Sequence, residues 1–85
     1  MTKTYKRKQY TNVEAFVYTN FCDTPEWFKE KYFNHEIIFG LDGKINFKTK
    51  NGVAVGTYGD YIVKNGKGCV YPVLHDVFLE LYEEV

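Results

Sequence analysis

The sequence predicts an α+β fold: a strongly bent antiparallel β-sheet of about five to seven short strands, half-open like a small barrel, with one packed α-helix. Three observations predict it. Several short runs alternate apolar and polar residues with period two, the signature of strands. Asn and Gly turn signals separate those runs at hairpin spacing, so antiparallel pairing dominates. Only Thr24-Pro25-Glu26 carries clear helix-start chemistry.

Each element follows in order. Residues 1–8 are polar and basic and are expected as a frayed end or an edge-strand extension. Residues 9–19 form a strand, with Val13, Ala15 and Val17 on one side and Asn12, Glu14, Phe16 and Tyr18 on the other. The aromatics on the second side predict that this face is also covered or serves as a binding surface. Asn20–Asp23 breaks the strand. In the helix that follows, Asp23 or Thr24 is the expected cap, Pro25 suits the first turn, and Glu26 complements the dipole. Trp27, Phe28 and Tyr32 form its inner stripe, and Asn34 is the expected left-handed stop. Glu36–Phe39 and Lys44–Thr49 are strands joined by a turn at Leu41–Lys44, with Ile45 and Phe47 on one face. Lys50-Asn51-Gly52 predicts a type I′ turn into Val53–Thr57.

The densest apolar stretch is Tyr58–Tyr82. Gly59-Asp60 reads as a tight turn whose carboxylate caps backbone N–H groups. Asp60–Lys64 is a strand, Asn65–Gly68 a turn, and Gly68–Tyr71 the partner strand. Pro72 forbids continuation as a central strand. His75 or Asp76 begins a short helical turn through Phe78–Leu79, and Glu80–Val85 extends as a closing strand.

At 85 residues the chain has room for one domain, 1–85. A domain this small buries only about 60–65% of its unfolded surface, so each large side chain matters. Eight Tyr, seven Phe and one Trp compensate for the small core. Some of the Tyr also suit an exposed binding face. The formal net charge is zero, which argues against direct nucleic-acid binding, although aromatics on a sheet beside Lys leave a single-strand binder as a third reading. No apolar run approaches the ~18–20 residues needed to cross a bilayer, and no apolar segment follows the basic start. The expectation is a cytoplasmic protein with no membrane partner and with Cys22 and Cys69 as reduced thiols. The abundance of Lys, Asn, Tyr, Ile and Phe fits an AT-rich coding sequence.

Candidate chemistry is sparse. Cys22, His35, Cys69 and His75 supply the ligand types of a structural zinc site, but no C-x2-C or H-x3-H spacing accompanies them. The expectation is therefore no cofactor, with zinc kept as the alternative. Cys69, His75 and Asp76 form a nucleophile set on paper only. Adjacent His75 and Asp76 are poorly placed for triad geometry, and no oxyanion motif is present, so no enzyme is expected. Asn65-Gly66-Lys67-Gly68 lacks the rest of a phosphate loop and reads as a hairpin turn.

Gly59-Asp60-Tyr61-Ile62-Val63-Lys64, then Asn65-Gly66-Lys67-Gly68, Tyr71-Pro72, Asp76-Val77-Phe78 and Tyr82-Glu83 resemble the C-terminal signature of a family of small phage and prophage proteins. Tyr5-Lys6-Arg7-Lys8 and Val13-Glu14-Ala15-Phe16 are similar to that family's opening. The chain departs from the pattern at Val70, at Val73 in place of Cys, and at His75 in place of Pro. The resemblance implies a phage or prophage origin and a compact fold, and it implies no reaction.

The function expected is binding and inhibition of a host protein, in its sharpest form an anti-CRISPR inhibitor of a Cas effector. The rival is a small-ligand or zinc-binding module that sequesters a nucleotide-like signal or serves phage assembly. The expected binding rim is the acidic C-terminal cluster Asp76, Glu80, Glu83 and Glu84, with Tyr71 and Tyr82 as desolvated anchors.

Overall fold

The structure, a computed structural model, describes residues 3–7 and 12–84. Its strands are β1 (Lys3–Arg7), β2 (Asn12–Val17), β3 (Ile37–Phe39), β4 (Ile45–Thr49), β5 (Gly52–Gly56), β6 (Tyr61–Lys64), β7 (Val70–Val73) and β8 (Tyr82–Glu84). The helices are α1 (Glu26–Phe33) and α2 (His75–Leu81), with a 3-10 turn at Phe21–Asp23. The strands part into a five-stranded sheet, β7-β6-β2-β1-β8, and a three-stranded sheet, β3-β4-β5. Every pairing is antiparallel.

The α+β class and the antiparallel pairing agree with the sequence. The strands form two sheets that stay open, and the short helical turn expected from His75 is a second helix that runs to Leu81. β1 is an interior strand with β2 and β8 on its flanks, so the basic start is a paired strand over Lys3–Arg7, not an edge.

The core has two compartments because β2 and β6 are covered on both faces. On one face, Phe16 and Ile62 join Phe28 of α1 and Ile45 and Phe47 of β4. On the other, Ala15 and Val63 join Phe78 of α2, with Tyr61 and Tyr82. The register pairs Ala15 with Val63 and Phe16 with Ile62, so each cross-strand pair belongs wholly to one compartment. The aromatic second side of β2 is thus core, not binding surface. Where the sheets meet, Gly56 of β5 abuts Pro72 of β7, and a methyl group at residue 56 would lie 2.8 Å from the Pro72 Cβ.

The helix boundaries correct two expectations. Neither Asp23 nor Thr24 caps α1. The Asp23 carboxylate accepts from Asn20 Nδ2, and the Thr24 hydroxyl donates to the Phe21 carbonyl. Pro25 holds the N-cap position, its carbonyl accepting from the Phe28 and Lys29 amides. At the other end Asn34 has φ −86°, and His35 takes the left-handed turn at φ 63°. The His35 amide donates to Tyr32 and the Glu36 amide to Lys31, the Schellman arrangement with His35 where glycine is usual. Lys31 and Glu36 then pair across this cap at 3.3 Å.

The Lys50-Asn51 loop is not type I′. Among the described residues only His35 and glycines have positive φ, so Lys50 and Asn51 stay in ordinary space while Gly52, at φ 121°, turns the chain. Register explains this, because Thr49 pairs with Gly52 and the glycine falls after the loop rather than inside it. The Thr49 hydroxyl donates to the Gly52 carbonyl and accepts from the Asn51 amide. Gly59-Asp60 behaves as read: buried Asp60 accepts from the Thr57 amide at 3.0 Å and its hydroxyl at 3.4 Å. β7 runs through Pro72, which is tolerated because β7 is a sheet edge.

Candidate interaction surface

The sheet face over Val13, Ala15 and Val63 is covered by one short helix. Phe78 is the sole buried residue of α2. It lies between Tyr61, at 3.9 Å between ring centroids, and Tyr82, at 4.5 Å, each tilted by only 14°. The Phe78 amide closes the first turn on the Leu74 carbonyl. The Tyr82 amide caps the end on Phe78, and the chain leaves as β8. One inward ring on a two-turn helix leaves the other apolar side chains outside. Leu74, Val77, Leu79 and Leu81 are 64, 40, 54 and 38% exposed. Leu74, Val77 and Leu81 follow i, i+3, i+7 spacing and form one stripe. Asp76 and Glu80, four residues apart and both exposed, lie beside it.

The structure therefore keeps part of the expected rim. Asp76 and Glu80 share one exposed helix. Tyr71 is half-buried on β7 and packs toward the Phe78 compartment. Tyr82, only 9% exposed, is a core ring in the stack and not a surface anchor. Glu83 and Glu84 pair through their backbones with Lys6 and Tyr5, and their side chains are outside the described set. The apolar stripe was not read from the sequence, which showed Tyr58–Tyr82 only as its densest apolar stretch. Spacing alone could not reveal it, because Leu74, Val77, Phe78 and Leu81 share the i, i+3, i+4, i+7 face, and only their exposures separate buried Phe78 from its neighbours.

The other candidate constellations separate. Among the described residues no three of His, Cys, Asp and Glu gather as metal ligands, so Cys22, His35, Cys69 and His75 are not brought together. Cys22 is exposed, and His35 sits in the Schellman cap. Cys69 belongs to the β6–β7 turn, where its amide donates to Asn65 Oδ1 at 3.0 Å and its carbonyl accepts from the Asn65 amide. His75 lies over the Tyr61 ring, and its Nδ1 is 3.6 Å from Asp76, too long for a hydrogen bond.

A second concave feature was not read from the sequence. A cleft of about 890 Å3 opens between the three-stranded sheet and the β6–β7 hairpin. Among the described residues, Lys31, Lys48, Lys50 and Lys67 line it, with Glu36 as the one acid. The available signal was a lysine in each of two Asn-Gly turns, Lys50-Asn51-Gly52 and Asn65-Gly66-Lys67-Gly68. Against known proteins, no family model, no curated protein and no solved structure matches the chain.

Proposed function

We propose that this chain is a non-enzymatic phage-type protein that acts by binding and occluding a host protein through α2. The observation that carries this reading is the exposed Leu74–Val77–Leu81 stripe beside Asp76 and Glu80. Fully burying an exposed Leu or Val contributes roughly 1.5–3 kcal/mol, and covering these partly exposed side chains contributes roughly half of that each, before the costs of association. Carboxylates at the edge add steering and register more than affinity. The fitting partner has an apolar pocket bordered by Lys and Arg. A nucleic-acid-handling effector has such borders, and a Cas effector is the sharpest form of the proposal. The phage assignment rests on the resemblance of the Gly59–Lys64, Tyr71-Pro72 and Asp76–Phe78 segments to small phage proteins.

The test is capture of a partner from host lysate, identified by native mass spectrometry, followed by binding kinetics with variants. Val77→Ser with Leu81→Ser is expected to abolish capture while the domain still melts cooperatively. Asp76→Asn and Glu80→Gln together are expected to slow association and flatten its salt dependence. A partner held equally by both folded variants would move the binding surface elsewhere.

A further inference from the structure

The Lys-lined cleft is independent of the α2 stripe, and its chemistry is opposite. On a chain of formally zero net charge, four lysines and one glutamate converge on one concavity. Glu36 is already engaged by Lys31 at 3.3 Å. Among the described residues Lys48, Lys50 and Lys67 have no ion-pair partner. Three uncompensated ammonium groups at one mouth repel one another, and an anion between them relieves that cost.

Two short turns and strand β4 deliver these charges. Lys50 lies in the β4–β5 loop, fixed by the Thr49 hydroxyl bonds. Lys67 lies in the β6–β7 loop, fixed by Asn65 Oδ1, which accepts from the Lys67 amide at 2.9 Å and the Cys69 amide at 3.0 Å. Lys48 extends from β4 itself. Because the backbones are held, only side chains need ordering when a ligand binds, which lowers the entropic cost. The lining is not wholly cationic: Ile37, Ala54, Val70 and Pro72 add apolar surface. A volume of about 890 Å3 falls in the ~300–1,000 Å3 range of small-molecule sites.

We infer that this cleft binds a phosphate-bearing small molecule of the nucleotide class, with the phosphates on Lys48, Lys50 and Lys67 and the base against the apolar lining. Lysine suits this role as a compact point charge for phosphate oxygens. The mixed lining favours a ligand with both an anionic and a flat, weakly polar part over a bare anion.

Titration calorimetry on the full chain tests this with adenosine diphosphate, inorganic pyrophosphate, adenosine and an eight-nucleotide thymidine strand. The diphosphate is expected to bind, more tightly than pyrophosphate, with adenosine undetectable. Lys48→Gln, Lys50→Gln and Lys67→Gln together are expected to weaken it about tenfold or more, as three exposed charge contacts would. All three side chains are exposed and their mutual repulsion is removed, so the triple variant is expected to fold and to melt no lower than the parent. Lys29→Gln, at a lysine that lies over the Phe21 ring outside the cleft, is expected to leave binding unchanged. No diphosphate binding at millimolar concentration, or equal binding by the triple variant, overturns the site. Pyrophosphate binding as tightly as the diphosphate overturns recognition of the base. Tighter binding of the thymidine strand overturns the small-molecule assignment in favour of a nucleic-acid strand.

Discussion

Phe28 shows how much rests on single side chains in a domain of this size. It has no exposed surface and makes ring contacts to Phe16, Tyr18, Phe21, Phe39 and Phe47, from β2, the following turn, β3 and β4. Phe28→Ala is expected to cost about 3–5 kcal/mol, most of the stability available to such a chain. Trp27 is half-buried, with an edge contact to Phe16 and Lys64 over its ring. Trp27→Ala should therefore cost clearly less, and urea titrations of both variants check the order. His35 invites the opposite change. Its φ of 63° is strained for a residue with a Cβ. His35→Gly is expected to stabilise the domain by about 0.5–1 kcal/mol, after the entropy that glycine adds to the unfolded chain. A structural zinc ligand there would instead destabilise on removal, so one melting curve separates the two roles. Tyr18 has a pKa raised above its usual 10.0, first by burial and then by neighbouring Tyr58. A raised folded-state pKa means that this stabilisation is complete below the unfolded value and is lost as pH climbs through the folded value. Tyr18→Phe should therefore lose less stability than the parent in alkaline solution above about pH 10, as read from urea midpoints against pH.

At the scale of elements, period two and turn chemistry made most strands legible, because alternation is a direct consequence of pleated geometry. The Ile45/Phe47 face, the β6–β7 hairpin and the structural role of Asp60 all follow from local rules. What was not legible depended on long-range placement. β1 is interior only because β8 returns beside it, and no local pattern in Lys3–Arg7 announces that partner. Tyr82 reads as a surface anchor until Phe78 is seen stacked against it. The cleft lysines come from α1, β4 and two separate turns, and only the approach of the two sheets places them around one cavity. Gly56 illustrates the same limit and gives a test. It has no unusual φ, yet an added methyl would meet the Pro72 Cβ at 2.8 Å and the Phe47 ring at 3.3 Å. β5 and β7 would have to separate. Gly56→Ala is expected to cost about 1–3 kcal/mol by overpacking, whereas an alanine in an ordinary extended strand position is otherwise tolerated. Thermal melts of Gly56→Ala beside Ala54→Gly, which removes a methyl group from the same strand, separate overpacking from a general weakness of β5.

At the scale of the molecule, the question is whether two sheets and two core compartments unfold together. The compartments share β2 and β6: Phe16 and Ile62 serve one face, Ala15 and Val63 the other. Neither compartment can open without exposing the reverse side of strands that the other needs. The sheets are also joined by α1, through Phe28 against Phe47, and by the Gly56–Pro72 contact. A single cooperative transition is therefore expected, as small domains usually show. The chain carries its own probes. Trp27 is the one tryptophan and packs against the first compartment, whereas the Tyr61–Phe78–Tyr82 stack lies in the second. Trp27 fluorescence and amide exchange at Val63 and Phe78 should give the same unfolding free energy within error, with a urea slope of about 1 kcal/mol/M. Loss of the Trp27 signal while the Phe78 amide stays protected would mean that the three-stranded sheet and α1 detach as a unit. In that case the cleft between the sheets would be a hinge rather than a fixed site. Adenosine diphosphate would then raise the Trp27 midpoint toward that of Phe78 as it closed the gap, whereas in a single cooperative unit it raises both equally.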